Sequence, residues 1–131
     1  MKFRPCIDIH NGKVKQIVGS SLRDDGNRAK ENFVASMDAD EYALLYKKHL
    51  LFGGHIILLN KEGTEFYDAT KAQAMKALKA FEGGMQIGGG INDTNAAEFI
   101  EAGASHVIVT SYVFQNGKIN FENLQRISRE V

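Results

Sequence analysis

The sequence predicts an α/β fold in which four parallel strands alternate with four helices. Four short apolar segments have the character of buried strands, and each is followed by a segment with helical spacing or helix-forming composition. The apolar runs at 55–59 and 106–110 are continuous, without alternation of polar and apolar residues. Such runs are typical of strands buried on both faces of a parallel sheet, and the strand–helix alternation is typical of a sheet wrapped by helices.

Apolar periodicity and glycine positions set the bounds of each predicted element. The predicted strands are 4–9, 55–59, 85–88 and 106–110, and the predicted helices are 40–52, 71–82, a segment from 93 or 94 to 102, and 119–130. Glycines end the first three helices. The dipeptide Asn11-Gly12 predicts a turn, so residues 12–23 are expected to add a hairpin after the first strand. Residues 24–30 and 61–70 are expected to be loops.

Composition narrows the class of protein. The 131 residues suit one domain, and the formal net charge of zero argues against nucleic-acid binding. The sequence has no apolar run long enough for a membrane span, so we expect no membrane partner. Cys6 is the only cysteine, which excludes an intrachain disulfide and favours a reducing, cytoplasmic setting.

Asp8 is the candidate catalytic residue because it interrupts the apolar first strand. The carboxyl end of a parallel strand in a barrel is where catalytic groups are placed, and a buried carboxylate suits general-base work. The alternative is an Asp that hydrogen-bonds the turn that follows. His10 lies on the same side and is expected to support Asp8 rather than to act itself. Cys6 is expected to be a small buried thiol rather than a nucleophile.

A candidate phosphate site follows the third and fourth strands. Gly88, Gly89 and Gly90 lie between a strand and a helix, where bare backbone amides and a helix N-terminus can hold a phosphate. Thr110 and Ser111 end the neighbouring strand and would add hydroxyls and amides. The alternatives are a flexible turn for the glycines and a cap or turn for the Thr-Ser pair. The four histidines show no metal-ligand spacing, so no metal site is expected.

Several motifs in order resemble one family. Residues 5–19 (PCIDIHNGKVKQIVG), 86–91 (QIGGGI) and 107–111 (VIVTS) resemble the phosphoribosylformimino-5-aminoimidazole carboxamide ribotide isomerases of histidine biosynthesis, and residues 32–34 and 90–95 resemble their eukaryotic-type branch. The resemblance implies a TIM (β/α)₈ barrel, which takes about 250 residues. Residues 1–131 would then be a single-domain (βα)₄ half-barrel, with the C-terminal half absent.

The resemblance also implies the chemistry, an aldose–ketose isomerisation of a ribotide phosphate by an Amadori rearrangement, without metal or organic cofactor. Asp8 would be the base, and Gly19 would lie near the substrate. The first phosphate site would include Gly89, Gly90, Thr110 and Ser111. A second carboxylate and a second phosphate site would belong to later strands.

Two residues depart from the pattern of many bacterial members, namely Asn60 in place of Asp and Asn92 in place of Arg. Two other functions stay open: the cyclase subunit of imidazole glycerol phosphate synthase, and a non-catalytic phosphate-binding half-barrel. Because a half-barrel exposes sheet edges, we expect a homodimer or a complementing C-terminal half as partner.

Overall fold

The computed structural model describes residues 1–17 and 31–131. Gly19 and the predicted loop at 24–30 therefore lie outside the described residues. The strands are β1 (Cys6–His10), β2 (Lys13–Ile17), β3 (Glu31–Val34), β4 (Gly54–Leu58), β5 (Met85–Gly88), β6 (Phe114–Gln115) and β7 (Lys118–Ile119). The helices are α1 (Ala39–Lys48), α2 (Tyr67–Ala80), α3 (Ala96–Glu101) and α4 (Phe121–Ser128).

The main sheet confirms a mixed α/β fold that contains parallel strands. Its order is β3-β2-β1-β4-β5, in which β1, β4 and β5 run parallel while β2 and β3 form an antiparallel extension. Ile57 pairs with Asp8 on one side and with Gly88 on the other. The candidate base and the first glycine of the candidate phosphate loop therefore lie in one row across three strands.

The predicted hairpin after the first strand is confirmed as far as Ile17, and residues 18–23 of the prediction lie outside the described residues. His10 pairs with Lys13, and the two intervening residues have φ angles of 51° at Asn11 and 75° at Gly12. Positive φ at both central residues is the type I′ geometry that Asn-Gly favours. The sheet continues beyond this hairpin, because β3 pairs with β2 through Lys15 and Val34; this strand was not predicted.

The predicted fourth strand at 106–110 is wrong in extent. Its pairing with β5 is an isolated parallel bridge between Ile87 and Val107, with hydrogen bonds from Ile87 N to His106 O at 3.1 Å and from Ile108 N to Ile87 O at 2.7 Å. A segment forms a regular ladder of backbone pairs only along the length over which a neighbouring strand runs beside it. Among the described residues this segment pairs with β5 on one side, and β5 itself ends at Gly88.

Helix bounds differ from the predictions for local reasons. Helix α1 ends at Lys48 rather than at 52, and Leu50 then takes a φ of 56°, which a helix does not allow. Helix α2 begins at Tyr67, so the loop predicted to reach 70 is shorter. Residues 114–119 form a β6–β7 hairpin, which was not predicted. Helix α4 follows, with Asn120 Oδ1 accepting from Asn123 N at 3.0 Å.

The core lies on one face of the parallel strands. Side chains that alternate along the strands pack against the helices and are fully or nearly fully buried: Ile7, Ile9, Ile56, Leu58, Met85 and Ile87 from the strands, with Ala74, Ala77, Leu78, Phe81 and Phe99 from the helices. Asp8, His55 and Ile57 occupy the other face and are only partly buried. The expected burial on both faces is therefore wrong for the described chain. No helix among its described residues is both long and apolar enough to cross a bilayer.

Candidate functional site

Asp8 occupies the middle of β1, on the less covered face of the sheet. It is partly buried, and Cys6 donates its S–H to Asp8 Oδ1 across 2.9 Å. The two residues line a cavity of about 380 Å³ whose other walls are Ile7, Val14, Lys15, Tyr42 and Tyr46. The candidate base thus stands in an accessible cleft beside β1.

Cys6 is exposed, so the expected buried thiol is wrong. Strand alternation places Cys6 on the face of Asp8, whereas its neighbour Ile7 is buried under the helices. Although the residue as a whole is exposed, its thiol group is partly buried, and this desolvation raises the pKa of the Cys6 thiol to about 12; the hydrogen bond to Asp8 and the charge of Asp8 act in the same direction. The thiol therefore stays protonated at neutral pH and is a donor there.

His10 lies at the end of β1 and is buried. Its Nδ1 is 3.4 Å from Nζ of Lys15, a residue that is itself only 8% exposed. An ammonium can only donate, so this contact requires Nδ1 to accept. The support for Asp8 that we expected from His10 stays a prediction.

A buried polar cluster fixes the turn after β1. The side chains of Asn60 and Thr70 are 6% and 0% exposed. Asn11 N donates to Asn60 Oδ1 at 2.7 Å, Asn60 Nδ2 donates to Asn11 Oδ1 at 2.8 Å, and Gly12 N donates to Thr70 Oγ1 at 3.0 Å. Thr70 Oγ1 in turn donates to Asn60 Oδ1. Sequence reasoning noted Asn60 only as a departure, because its partners are distant in sequence.

The three consecutive glycines have different surroundings. Gly88 packs beside Ile57 and Ile108, where an added Cβ would lie 3.2 Å and 3.1 Å from their side-chain carbons. At Gly89 the φ is +97° and a Cβ would meet the Leu58 carbonyl oxygen, so this residue must be glycine for packing alone. At Gly90 the φ is +70° and nothing lies within 4 Å of a Cβ position. Gly90 is therefore the glycine of the three that faces open space.

The loop after the glycines is closed by its own side chains. Asn92 Oδ1 accepts from Thr94 N at 2.8 Å and from Asn95 N at 3.2 Å, and Asn95 Nδ2 donates to Gly90 O at 3.0 Å. These contacts use backbone amides just before α3, a helix of six residues. The helix N-terminus expected to assist a phosphate therefore has amides already bonded to Asn92.

A second cavity, of about 500 Å³, adjoins the glycine loop. Gly90 and Ser111 both line it, so the structure brings together one residue from each predicted phosphate segment; Gly88, Gly89 and Thr110 are not among its lining residues. Asn60 also lines it. Sequence reasoning missed four of its polar lining residues, Lys61, Glu62, Tyr112 and Gln115. The position of Lys61 three residues after the end of β4 was the one signal available for them.

The register of the sheet relates the two cavities. Asp8 and Gly88 both pair with Ile57, so their Cα atoms are about two strand spacings apart, roughly 9.5 Å. The cavity at the glycine loop lies at the carboxyl ends of β4 and β5, whereas the cavity at Asp8 lies along the first three residues of β1. Within residues 1–17 and 31–131, no three His, Cys, Asp or Glu side chains lie together as metal ligands would.

Comparison with known proteins shows which family and which proteins this chain resembles. Residues 2–131 match the family described as histidine biosynthesis protein. The chain is 52% identical over 135 residues to a Medicago truncatula protein, named as a chloroplastic phosphoribosyl-(phosphoribosylamino)methylideneamino-imidazole-4-carboxamide isomerase, with 100% of this chain and 42% of that protein covered.

Fungal relatives carry the same isomerase name. The Neurospora crassa protein is 44% identical, with 96% of this chain and 46% of the relative covered. The Saccharomyces cerevisiae protein is 40% identical, with 97% and 46% covered. This chain thus spans less than half the length of these three relatives. The match over residues 2–131 shows that the chain belongs to the histidine biosynthesis protein family.

Proposed function

We propose that this chain supplies the base and one phosphate site of an isomerase that converts an aminoaldose ribotide to its ketose form in histidine biosynthesis. The observation that carries the proposal is the row Asp8–Ile57–Gly88, because it relates the candidate base to the candidate phosphate loop. The isomerase name of the three relatives supports the reaction type.

The spacing suits a sugar phosphate. The Cα atoms of Asp8 and Gly88 are two strand spacings apart, about 9.5 Å. A carboxylate side chain, together with the bonds from a terminal phosphate to the second carbon of a pentose, spans roughly the same distance. Gly90 and Ser111, which line the cavity, lie beyond Gly88 along the chain, and we propose that a phosphate held by them leaves the reacting carbons near β1. Lys61, on the wall of the same cavity, would add a positive charge, and Glu62 beside it would limit the net attraction.

The chemistry assigned to Asp8 is proton abstraction. Once the sugar ring has opened to a Schiff base, the carbon next to the imine loses a proton to the Asp8 carboxylate, and the electron pair moves into the enolamine. Protonation of the former imine carbon, with loss of the hydroxyl proton on the neighbouring carbon, then gives the ketose. Ring opening needs a proton donor, which we assign to a carboxylic acid on a later strand of the family fold. We propose no metal or cofactor for these steps.

The proposal extends to the architecture. The one-sided packing of the strands and the open edge of β1 support a (βα)₄ half of a (β/α)₈ barrel. Among the described residues, β2 pairs with β1 only at Ile9 and His10, so the β1 edge at 6–8 is available to a further strand. We propose that a complementing C-terminal half-barrel, or a second copy of this chain, covers this edge and the partly buried face.

The alternatives have less support. The three relatives are named as isomerases, which favours isomerisation over the cyclase reaction. A non-catalytic phosphate-binding half-barrel would account for the glycine loop but gives no role to Asp8 in a solvent-accessible cleft. The cytoplasmic setting stays a prediction; the name of the Medicago relative gives a chloroplast location for that protein.

Turnover in a complemented enzyme tests the proposal. This chain is mixed with the remaining part of the Neurospora relative, and ribotide isomerisation is followed for the wild type and for Asp8→Asn. Because the amide cannot accept the proton, we expect turnover to fall at least ~10²-fold, with ribotide affinity retained.

The matched control is Asp68→Asn, which removes an exposed carboxylate from the first turn of α2. It should leave turnover within about 2-fold, as expected for a surface substitution away from the site. Equal turnover of wild type and Asp8→Asn would contradict the role of Asp8. Ribotide binding without turnover, whether or not the remaining part of the Neurospora relative is added, would favour the non-catalytic half-barrel.

A further inference from the structure

Beside the candidate base lies a second side chain that the proposed chemistry does not use. Cys6 Sγ is 2.9 Å from Asp8 Oδ1, and both residues line the same cavity. A carboxylate can only accept, so the thiol must be the donor in this contact. The bond engages one oxygen of the carboxylate and leaves Oδ2 for a substrate proton.

We propose that Cys6 is a positioning residue whose S–H fixes the orientation of the Asp8 carboxylate toward the substrate. The proposal rests on the proposed function of Asp8 as the base. A carboxylate on a strand rotates about χ1, and its terminal torsion is broad, so without a partner it samples several directions. A donor two residues earlier on the same face removes part of this freedom before substrate binds.

The backbone makes the pair rigid. Cys6 and Asp8 are held in the ladder with β4 by pairing to His55 and Ile57. Ile7 between them is 1% exposed, so the strand cannot rotate without exposing a core residue. The separation of the two side chains is therefore set by the pleat of the strand, which brings residues i and i+2 to one face.

The surroundings keep the thiol in its donating form. The titratable or charged groups that face or adjoin Cys6 are Asp8 on β1, Lys15 on β2, His55 on β4, and Tyr42 and Tyr46 on α1. Desolvation by partial burial, followed by the hydrogen bond to Asp8 and the charge of Asp8, raises the pKa of the thiol to about 12. A protonated thiol is a poor nucleophile, so Cys6 should serve as a donor and resist alkylation despite its exposure.

The test measures the coupling in the intact chain, without reference to turnover. Thiolate absorbance is followed against pH in the folded wild type and in folded Asp8→Asn. The wild type unfolded in urea gives the reference midpoint. We expect the wild-type thiol to titrate well above the range near pH 9 that an unperturbed cysteine shows, and Asp8→Asn to lower its midpoint and speed alkylation by iodoacetamide at pH 9. A wild-type midpoint near 9, or one that Asp8→Asn leaves unchanged, would overturn the proposal.

Side-chain NMR of Asp8 supplies the second readout. Wild type and Cys6→Ser, which keeps a donor, should show one χ1 rotamer, whereas Cys6→Ala should show averaged couplings. A single rotamer retained in Cys6→Ala would also overturn the proposal. Neither measurement depends on isomerase activity. Failure of the proposed function would therefore be seen separately, as unchanged turnover in Asp8→Asn.

Discussion

Two Asn-Gly turns in this chain have nearly the same backbone and very different surroundings. Asn11 and Gly12 have φ angles of 51° and 75°, and Asn116 and Gly117 have φ angles of 52° and 73°. Each turn joins two antiparallel strands through two residues. The dipeptide therefore sets the turn type in both places, while the contacts around it decide how firmly the turn is held.

The first turn is partly buried and packed against the rest of the chain. Its two amides donate to Asn60 and Thr70, and a Cβ at Gly12 would lie 3.0 Å from the Cβ of Ala69. The second turn is exposed, and a Cβ at Gly117 would have nothing within 4 Å. The first turn follows the strand of Asp8 and the second follows Ser111, so the comparison concerns both parts of the site.

Asn60→Ala should have the largest effect and would show whether the polar cluster makes the difference between the turns. It removes the acceptor of a part-buried hydrogen bond from Asn11 N and of a buried one from Thr70 Oγ1. We expect the free energy of unfolding to fall by about 3 kcal/mol, measured by urea denaturation.

The control for this prediction is Thr70→Ser, which keeps the hydroxyl and should cost less than about 1 kcal/mol. A loss below about 1 kcal/mol in Asn60→Ala as well would mean that the cluster does not hold the first turn.

Gly12→Ala and Gly117→Ala separate packing from backbone strain. Both changes place alanine at positive φ and affect the unfolded chain in the same way, so these contributions cancel in the comparison. We expect a loss of about 1 kcal/mol at Gly117 and about 2 kcal/mol at Gly12, where the Ala69 contact adds to the strain. Urea denaturation measures both, and equal losses would show that Ala69 moves aside without cost.

Gln115→Ala should have the smallest effect. It removes an exposed hydrogen bond in which Asn120 Nδ2 donates to Gln115 Oε1 at 3.1 Å. We expect a change in the free energy of unfolding within about 0.5 kcal/mol by thermal melting. A loss above about 1 kcal/mol would show that the second turn is held as firmly as the first.

Local sequence patterns predicted the elements whose formation depends on residues close together in the sequence. Alternation of apolar strands and helices predicted the parallel strands β1, β4 and β5, and Asn11-Gly12 predicted the hairpin after β1. The same dipeptide at 116–117 was overlooked, because its flanking strands have two residues each and Ile119 was assigned to the helix that follows. The bounds of the segment 106–110 depend on strand pairing, which the apolar run does not encode.

The sequence indicated several individual residues of the candidate site, but not the contacts that these residues make. A polar residue in an apolar strand indicated Asp8, and adjacency of strands indicated that Gly90 and Ser111 lie together. The glycine run could not show that Gly89 packs on Leu58 while Gly90 faces a cavity. The role of Asn60 depends on partners 49 and 10 residues away in sequence, at Asn11 and Thr70, and only the folded chain brings these together.

The anchoring of the first turn also bears on the chemical ageing of the chain. An Asn-Gly peptide deamidates when the glycine nitrogen attacks the asparagine side-chain carbon, which requires both groups to move freely. At Asn11 the side-chain oxygen is bonded to Asn60 and the Gly12 nitrogen is bonded to Thr70, so the attack geometry is blocked. Asn116 and Gly117 are exposed at the tip of a short hairpin. Stored protein should therefore gain negative charge at the second turn first, while the turn beside the candidate base keeps its amide.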